Sequence, residues 1–346
     1  MTSEIPNIKS ERKTENFFVF EHEDISESNF PHWKKEVPLV EIERFNRNQG
    51  SLMGLAIGDA LGAQVEFKVP GTFEHVSELK DGGTHHLEAG GWTDDTSMAL
   101  CMAMSLIERH EYDERDILKK FLRWYRTGYL GSNGRCFDIG MTTSKSLKKY
   151  ERDGKFATNK INEQEAGNGA LMRLTPIPLF YAHDPLKALI KSGESSALTH
   201  RSPQSIDSCR YFGGLIVGAL NGEPKEKLLH QYYSPVADYW DKYDLDATVK
   251  YVISGSYKTK NPPEIKAGGY VIDTLEAALW AFYHSISFED GCIKAVNLGN
   301  DADTVGAVYG QLAGAYYGVD KIPSRWLDKI ARRSLIEHIS KELFFH

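Results

Sequence analysis

Apolar residues recur at helical spacing along most of the chain after residue 50. Seven stretches show this pattern clearly, and each predicts a buried or amphipathic helix. They are residues 51–67, 93–110, 113–129, 205–222, 270–286, 305–319 and 324–343. Strand signals are weak, because no clear period-two run is followed by a hairpin turn. The pattern predicts an all-α fold.

Several of the predicted helices carry Gly and Ala on faces that must be buried, which predicts close approach of helix backbones. The sequence shows no internal repeat of about 20–50 residues. We therefore predict a single compact multi-helix domain over residues 48–346. Residues 1–47 are rich in Glu, Lys and Ser but also carry aromatic residues, which predicts an extended N-terminal arm. The arm either docks on a partner or packs as a strap on its own domain.

Composition and charge argue against several classes of protein. The net charge of −7 disfavours a protein that binds nucleic-acid backbones. No run approaches the roughly 20 apolar residues of a membrane span, and the N-terminus lacks the apolar segment of a signal peptide. The cysteines are scattered without a C-x-x-C pair, so neither a zinc knuckle nor a disulfide framework is indicated. They are Cys101, Cys136, Cys209 and Cys292. We expect a cytoplasmic protein with no membrane or nucleic-acid partner.

Two distant segments place paired acids at predicted helix starts. Thr93, Asp94 and Asp95 open one helix, and Asp301 and Asp303 open another. Simple capping is one interpretation, since carboxylates favour helix N-termini. The other is a metal site, because converging carboxylates repel one another unless a cation neutralises them. Hard oxygen ligands would select Mg²⁺, Mn²⁺ or Ca²⁺ over zinc. The spacing alone leaves both interpretations open.

Other known motifs are absent from the sequence. An EF-hand is excluded, because Val305 and Leu312 occupy the fifth and twelfth positions of the loop that begins at Asp301. There is no P-loop, and GNGALMR lacks the third glycine of a dinucleotide fingerprint. Neither H-E-x-x-H nor G-x-S-x-G occurs.

Seven blocks of the sequence, in order, carry a resemblance to a known family. They are GLAIGDALGAQVEF, GGWTDDTSMAL, GRCFDIGMTT, GNGALMRLTPIPLF, LTHRSP, GGYVIDTLEAALWAF and NLGNDADTVGAVYGQLAGAYYG. Together they resemble the ADP-ribosylglycohydrolases, and most of all the dinitrogenase reductase-activating type that acts on ADP-ribosylated arginine. The resemblance covers roughly residues 48–340. It implies an all-helical domain with two Mg²⁺ or Mn²⁺ ions in a cleft.

The resemblance also implies the roles of individual acids. Glu66 matches a glutamate beside the metals that contacts the reacting ribose, and Asp59 is expected to hold a loop or a ligand in place. The implied catalytic residues are Glu66, Asp94, Asp138 and Asp303. The implied metal ligands are Thr93, Asp94, Asp95, Asp301, Asp303 and Thr304.

Asp138 bears on the choice of substrate. It matches an aspartate of the arginine-directed members, where a carboxylate can pair with a guanidinium through two hydrogen bonds. Members that act on ADP-ribosyl-serine are not expected to keep this block, so arginine is favoured. Without the family, Asp138 would be interpreted as a turn residue before glycine.

Five further residues are implied to contact the substrate. Gly167, Asn168 and Gly169 resemble a loop whose backbone approaches the diphosphate or the distal ribose. His200 matches a histidine that lines the ADP-ribose pocket, and Tyr270 resembles an aromatic residue bordering the nucleotide site. Taken alone, a single histidine is more often a structural residue, and a tyrosine at the start of an apolar helix usually belongs to the core.

The resemblance implies hydrolysis of the N-glycosidic bond between ADP-ribose and arginine, with a water activated by Glu66 or Asp94. Some members with N-terminal extensions resemble immunity proteins that insert the extension into a secreted ADP-ribosyltransferase toxin. Aromatic and acidic residues in the arm suit such a contact. Two alternatives remain, namely a hydrolase for ADP-ribosyl-serine and a catalytically silent protein that binds ADP-ribose or occludes the toxin.

Overall fold

The computed structural model describes residue 25, residues 30–155 and residues 161–346, and α-helices dominate them. The helices are α1 (Ile42–Gly62), α2 (Asp94–Arg109), α3 (Glu114–Thr127), α4 (Met141–Asp153), α5 (Pro176–Phe180), α6 (Pro185–Ala197), α7 (Pro203–Leu220), α8 (Lys225–Leu228), α9 (Tyr239–Lys242), α10 (Ala247–Ile253), α11 (Val271–Tyr283), α12 (Phe288–Val296), α13 (Ala302–Tyr317), α14 (Ser324–Leu327) and α15 (Arg333–Phe345). Within these ranges the only β-pairing consists of two isolated bridges. The predicted all-α fold is confirmed.

Helices α1 and α13 lie at the centre of the fold and touch along a seam of glycines. The facing residues are Gly50, Gly54 and Gly58 on α1 and, in antiparallel order, Gly314, Gly310 and Gly306 on α13. A Cβ built on any of them would lie closer than 3.0 Å to backbone atoms of the other helix. Larger side chains would separate the two helices, so the predicted close backbone approach is confirmed here.

The glycine seam brings three helix ends together. Gly62, at the end of α1, lies against the backbone of Asp303 in the first turn of α13. One turn earlier on α1, the Asp59 carboxylate accepts hydrogen bonds from the backbone N–H groups of Thr93 and Thr96, at 2.9 and 3.0 Å. The start of α2 is thereby fixed beside the start of α13. The paired acids of the two segments therefore converge.

Two predicted helices differ from the observed ones. Helix α1 begins at Ile42, so it runs across the predicted boundary between residues 47 and 48, and it ends at Gly62, before the predicted limit of residue 67. Residues 324–343 do not form one helix, because α14 and α15 are separate. Between them Arg332 has φ 48°, and the Ala331 N–H donates to the Gly90 carbonyl at 3.0 Å. Contact with the loop before α2 therefore interrupts the helix.

The segment before α1 packs on the domain where it is described. Phe30 is 4% exposed and belongs to the hydrophobic core. The backbone N–H of His32 donates to a Glu342 carboxylate oxygen at 2.6 Å, and the His32 ring lies 2.8 Å from the other. Residues 1–24 and 26–29, most of the predicted arm, lie outside the described residues. In the described part of the chain no helix has the length and apolarity to cross a membrane.

Candidate metal centre and substrate cleft

A cleft of about 620 Å³ opens at the converging starts of α2 and α13. Its walls contain most of the residues that the sequence singles out: Glu66, Asp94, Asp138, Gly167, Asn168, Gly169, His200, Asp301, Asp303 and Thr304. Thr93 and Asp95 are buried beneath the floor, at 1% and 0% exposure. Tyr270 is 38% exposed, and its backbone pairs with Gly167 beside the cleft.

The acids beneath the cleft share too few hydrogen-bond donors. Thr93 Oγ1 lies 2.9 Å from Asp59 Oδ1, 3.0 Å from Asp95 Oδ2 and 3.3 Å from Asp303 Oδ2. A hydroxyl carries one hydrogen, so it can donate fully to only one of these carboxylates. Asp95 Oδ1 and Asp303 Oδ1 are buried with no hydrogen-bond partner. Buried unpaired carboxylate oxygens are costly, and a hard cation satisfies them. The residues therefore fit a metal centre.

Burial also makes the negative charges of these acids costly unless a cation is bound. It raises the pKa of Asp94, Asp95 and Asp303 well above the ordinary range, and the neighbouring carboxylates raise it further. Without a cation the ionised forms of the three acids are therefore costly. A bound cation favours the ionised forms, because opposite charge at short range stabilises a carboxylate.

The acidic cluster consists of the converging acids Asp59, Asp94, Asp95, Asp301 and Asp303. Asp59 has a different role from the others. Its two oxygens accept four hydrogen bonds, from the backbone and the hydroxyl of both Thr93 and Thr96. Burial raises its pKa to about 6 even so. Because its oxygens are already satisfied, Asp59 orients the start of α2 and the Thr93 hydroxyl, as expected from the sequence.

Capping alone does not account for the paired acids. Thr93 and Asp301 occupy the N-cap positions of α2 and α13, yet neither side chain makes a capping hydrogen bond. By contrast, the Asp113 carboxylate caps α3 by accepting from the backbone N–H groups of Arg115 and Asp116. Asp301 Oδ2 instead accepts from the Asn168 side chain at 2.8 Å. These side chains face the cleft and the acidic cluster.

His85 is a site residue that the sequence interpretation missed. Its Nε2 lies 2.7 Å from Glu66 Oε2, within hydrogen-bond distance, and 4.0 Å from Asp138 Oδ2, so the imidazole lies beside both carboxylates. The hydrogen bond to Glu66 raises the pKa of His85. Burial raises the pKa of Glu66 to about 7, against the lowering effect of the same bond. The only signal in the sequence was a His-His pair in a glycine-rich loop.

The family model described as ADP-ribosylglycohydrolase matches residues 41–345. The chain belongs to the ADP-ribosylglycohydrolase family. The resemblance drawn from the seven sequence blocks is confirmed.

Individual relatives cover most of this ADP-ribosylglycohydrolase chain. It is 40% identical over 317 residues to the ADP-ribosylarginine hydrolase Tri1 of Serratia proteamaculans (strain 568), covering 91% of this chain and 84% of that protein. It is 31% identical over 296 residues to the ADP-ribosyl-[dinitrogen reductase] glycohydrolase of Rhodospirillum rubrum, covering 82% and 90%. A solved structure titled ADP-ribosylglycohydrolase-related protein complex is 42% identical, with a TM-score of 0.77 and coverage of 88% of this chain and 99% of that one.

The glycine loop of this ADP-ribosylglycohydrolase packs against His200. A Cβ on Gly169 would lie 2.8 Å from His200 Cε1, and one on Gly167 would lie 3.2 Å from His200 Nε2. His200 is 2% exposed, and burial lowers its pKa to about 3, so the ring is neutral. Arg173 donates to Thr199 Oγ1 at 2.6 Å, and this oxygen lies 2.8 Å from His200 Nδ1. If the Thr199 hydroxyl donates to Nδ1, the ring proton is on Nε2, towards the loop.

Asn168 connects the same loop to the acidic cluster through a hydrogen bond. Its amide nitrogen lies 2.8 Å from Asp301 Oδ2 and 2.9 Å from Thr274 Oγ1. Its backbone N–H donates to the Gly269 carbonyl at 3.1 Å. The side chain therefore orients Asp301, while the glycines on either side allow the loop to pack closely on the His200 ring.

Proposed function

We propose that this protein hydrolyses the N-glycosidic bond between ADP-ribose and arginine on modified proteins in a metal-dependent reaction. The observation that carries the proposal is the Asp138 carboxylate, which shares one cleft with the buried acidic cluster. The ADP-ribosylarginine hydrolases among the relatives support arginine as the linked residue. Reversal of mono-ADP-ribosylation is the corresponding biological role.

The proposed metal ligands are those that the family resemblance implies. Two Mg²⁺ or Mn²⁺ ions would be held by Thr93, Asp94, Asp95, Asp301, Asp303 and Thr304, whose oxygen donors suit hard cations. When bound, such ions neutralise the acidic cluster and act as Lewis acids towards oxygen atoms of a ligand. The unpaired oxygens of Asp95 and Asp303 support this assignment.

Glu66 is the proposed general base, with Asp94 as the alternative. A pKa of about 7 suits a group that takes a proton at neutral pH, because a base is most effective near the operating pH. The oxygen of the attacking water bonds to ribose C1′ while Glu66 takes its proton. The C1′–N bond breaks, and the bonding pair leaves with the guanidine nitrogen, which is protonated as arginine is released.

Asp138 is proposed to hold the guanidinium of the leaving arginine. Its side chain is 21% exposed, so it can reach a ligand in the cleft. Burial raises its pKa, while His85 and a hydrogen bond with Asp94 lower it. A guanidinium beside it would favour the charged form, and two parallel hydrogen bonds would fix the direction of the arginine.

Replacing Asp138 by Asn tests the function and its substrate together. We expect Asp138→Asn to slow ADP-ribose release from an arginine-linked substrate by about 100-fold, since a charge-assisted bond contributes about 1.5–3 kcal/mol. Release is measured on arginine-linked and serine-linked substrates, with the exposed-site variant Asp320→Asn as control. Faster wild-type release from serine would support the serine alternative, and release from neither would support the silent binding protein.

His85 is proposed to position and tune Glu66. We expect His85→Asn, whose side chain is too short to reach Glu66, to lower kcat by about 10–100-fold. The His85 bond lowers the pKa of Glu66, so its loss should raise that pKa and move the acid limb of the pH–rate profile to higher pH. His86→Asn, at the exposed neighbouring position, is the matched control. An unmoved acid limb in His85→Asn would show that Glu66 is not the titrating base.

The arm is proposed to bind a cognate ADP-ribosyltransferase toxin, as in the immunity proteins that the resemblance suggests. The supporting observation is an exposed apolar group at the base of the arm, where Leu39, Val40 and Ile42 are 86%, 91% and 48% exposed. Neighbouring exposed apolar side chains of this kind are suited to packing against a partner.

Truncation of the arm separates the two activities. Because Phe30 is buried and His32 is bonded to Glu342, the cut belongs before residue 30 rather than at residue 47. We expect a chain lacking residues 1–29 to hydrolyse ADP-ribosyl-arginine at the wild-type rate but to bind the transferase at least about tenfold more weakly, a loss of about 1.4 kcal/mol. Calorimetric titration with the transferase measures this. Equal affinity of the truncated and full-length chains would exclude residues 1–29 from the interface and leave only the apolar group at residues 39–42 as a contact.

A further inference from the structure

A second group of potential metal ligands lies at the opposite end of α2 from the acidic centre. His110 follows the last residue of this 16-residue helix, so it lies about 24 Å from the cleft. Around it are His32 from the segment before α1, and Glu342 and His346 from the end of α15. We call these four residues the histidine cluster. The proposed reaction makes no use of any of them.

The ligand atoms of the cluster are already close together. Selected atoms of His32, Glu342 and His346 lie within 4.8 Å of one another. His110 Nδ1 lies 3.2 Å from His346 Nδ1, and His32 Nδ1 lies 2.8 Å from Glu342 Oε2. Two nitrogens bound tetrahedrally to one zinc ion, at about 2.0–2.1 Å each, would lie about 3.3 Å apart. His32, Glu342 and His346 therefore need little movement to share an ion, and His110, which lies beside His346, would have to move in as the fourth ligand.

The protonation and burial of the cluster also suit a metal. Burial lowers the pKa of His346 to about 4, and His110, His32 and Lys35 lower it further. Neutral imidazole is the form that binds metals. His346 Nε2 is buried without a hydrogen-bond partner, and the Glu342 side chain is fully buried. A divalent cation would supply a countercharge to the buried Glu342 carboxylate and a partner for the unpaired nitrogen of His346.

We propose that the histidine cluster binds one divalent transition-metal ion of the Zn²⁺ type through His32, His110, Glu342 and His346. Imidazole nitrogens prefer Zn²⁺, Ni²⁺ or Cu²⁺ to Mg²⁺, so the cluster and the oxygen-lined acidic centre would select different ions. Four protein ligands leave no open position, which is typical of a structural zinc site. The ion would join the segment before α1, the end of α2 and the end of the chain.

The competing explanation is that the cluster is held by hydrogen bonds and ring contacts alone. The His32–Glu342 pair, the His110–His346 pair and the edge-on packing of the His32 and His346 rings already hold the four residues together. This explanation predicts no selective affinity for zinc. It also predicts no effect of zinc on stability that depends on the histidines.

Zinc titration of the full chain distinguishes the two explanations. The protein is treated with a chelator, dialysed, and supplied with excess Mg²⁺ so that the acidic centre is not available to zinc. It is then titrated with Zn²⁺ by calorimetry, and its Tm is measured with and without the ion. The variants are His110→Ala and the double variant His110→Ala/His346→Ala. His230→Ala, at an exposed position on another part of the surface, is the matched control.

We expect the wild type and His230→Ala to bind one zinc ion per chain and to gain stability from it, since an ion that binds only the folded state raises Tm. His110→Ala should bind zinc at least tenfold more weakly, and the double variant should bind none and show no rise in Tm. Without zinc, both variants should show the same helical spectrum as the wild type. This control establishes that a loss of zinc binding does not come from unfolding. No zinc binding by the wild type, or equal binding by the double variant, would overturn the proposal.

Discussion

Asp303→Asn is expected to abolish hydrolysis while making the metal-free protein more stable. The change removes one negative charge from a cluster in which Asp95, Glu66 and Asp301 raise the pKa of Asp303 beyond the effect of burial. It also removes a proposed metal ligand at the start of α13. We expect kcat/KM to fall by about 10³-fold or more, equivalent to about 4 kcal/mol of transition-state stabilisation. In chelator, Tm should rise by about 2 °C or more, because self-repulsion is relieved.

The response to Mg²⁺ completes this prediction. The wild type should gain stability on adding Mg²⁺, by about 2.7 kcal/mol at 100 times the dissociation constant, and Asp303→Asn should gain much less. Thermal unfolding in chelator and in Mg²⁺ measures both effects, and Asp320→Asn at an exposed site is the control. An inactive variant with a lowered Tm in chelator would indicate a structural role for Asp303 instead.

Gly310→Ala is expected to destabilise the fold strongly. A Cβ at this position would lie closer than 3.0 Å to the carbonyl of Gly54 on α1. Both partners are backbone atoms of buried helices, so no side chain can move aside to make room. We expect a loss of about 3 kcal/mol or more, at the upper end of the range for overpacked cores. Separation of α1 from α13 would also move Asp59 away from Asp303, so activity should fall with stability.

Gly193→Ala is the matched control for the seam. Gly193 also lies within a helix, α6, but a Cβ there would first meet side-chain atoms at 3.4 Å, an ordinary contact distance. Since alanine is more favourable than glycine inside a helix by about 1 kcal/mol, the Tm of Gly193→Ala should stay the same or rise. Denaturant unfolding compares the two variants. A wild-type midpoint for Gly310→Ala would contradict the close approach of α1 and α13.

The sequence predicts the helices and the candidate metal site better than it predicts features that depend on contacts between distant residues. Paired acids at two predicted helix starts leave capping and a metal site as alternatives, and the family resemblance favours the metal site. Gly and Ala on buried helix faces predict close backbone approach without showing that α1 and α13 are the pair. The helix type follows from the apolar period of the buried segments. These features are local in sequence, so a single chain shows them.

Other features depend on contacts between distant residues. His85 becomes a site residue only because its loop folds back over Glu66, and a His-His pair in a glycine-rich loop does not reveal this. The break between α14 and α15 arises from contact with Gly90, although the sequence pattern favours one continuous helix. The histidine cluster joins residues 32, 110 and 346, whose separation in sequence hides it entirely.

The most direct test of the proposed function is ADP-ribose release from an arginine-modified protein by the full chain. The enzyme is stripped with EDTA, assayed, and assayed again after Mg²⁺ is restored in excess of the chelator. We predict no release in EDTA and full recovery with Mg²⁺, because the buried acids beneath the cleft need a cation to act. Release at the same rate in EDTA, or no release under either condition, would contradict the account.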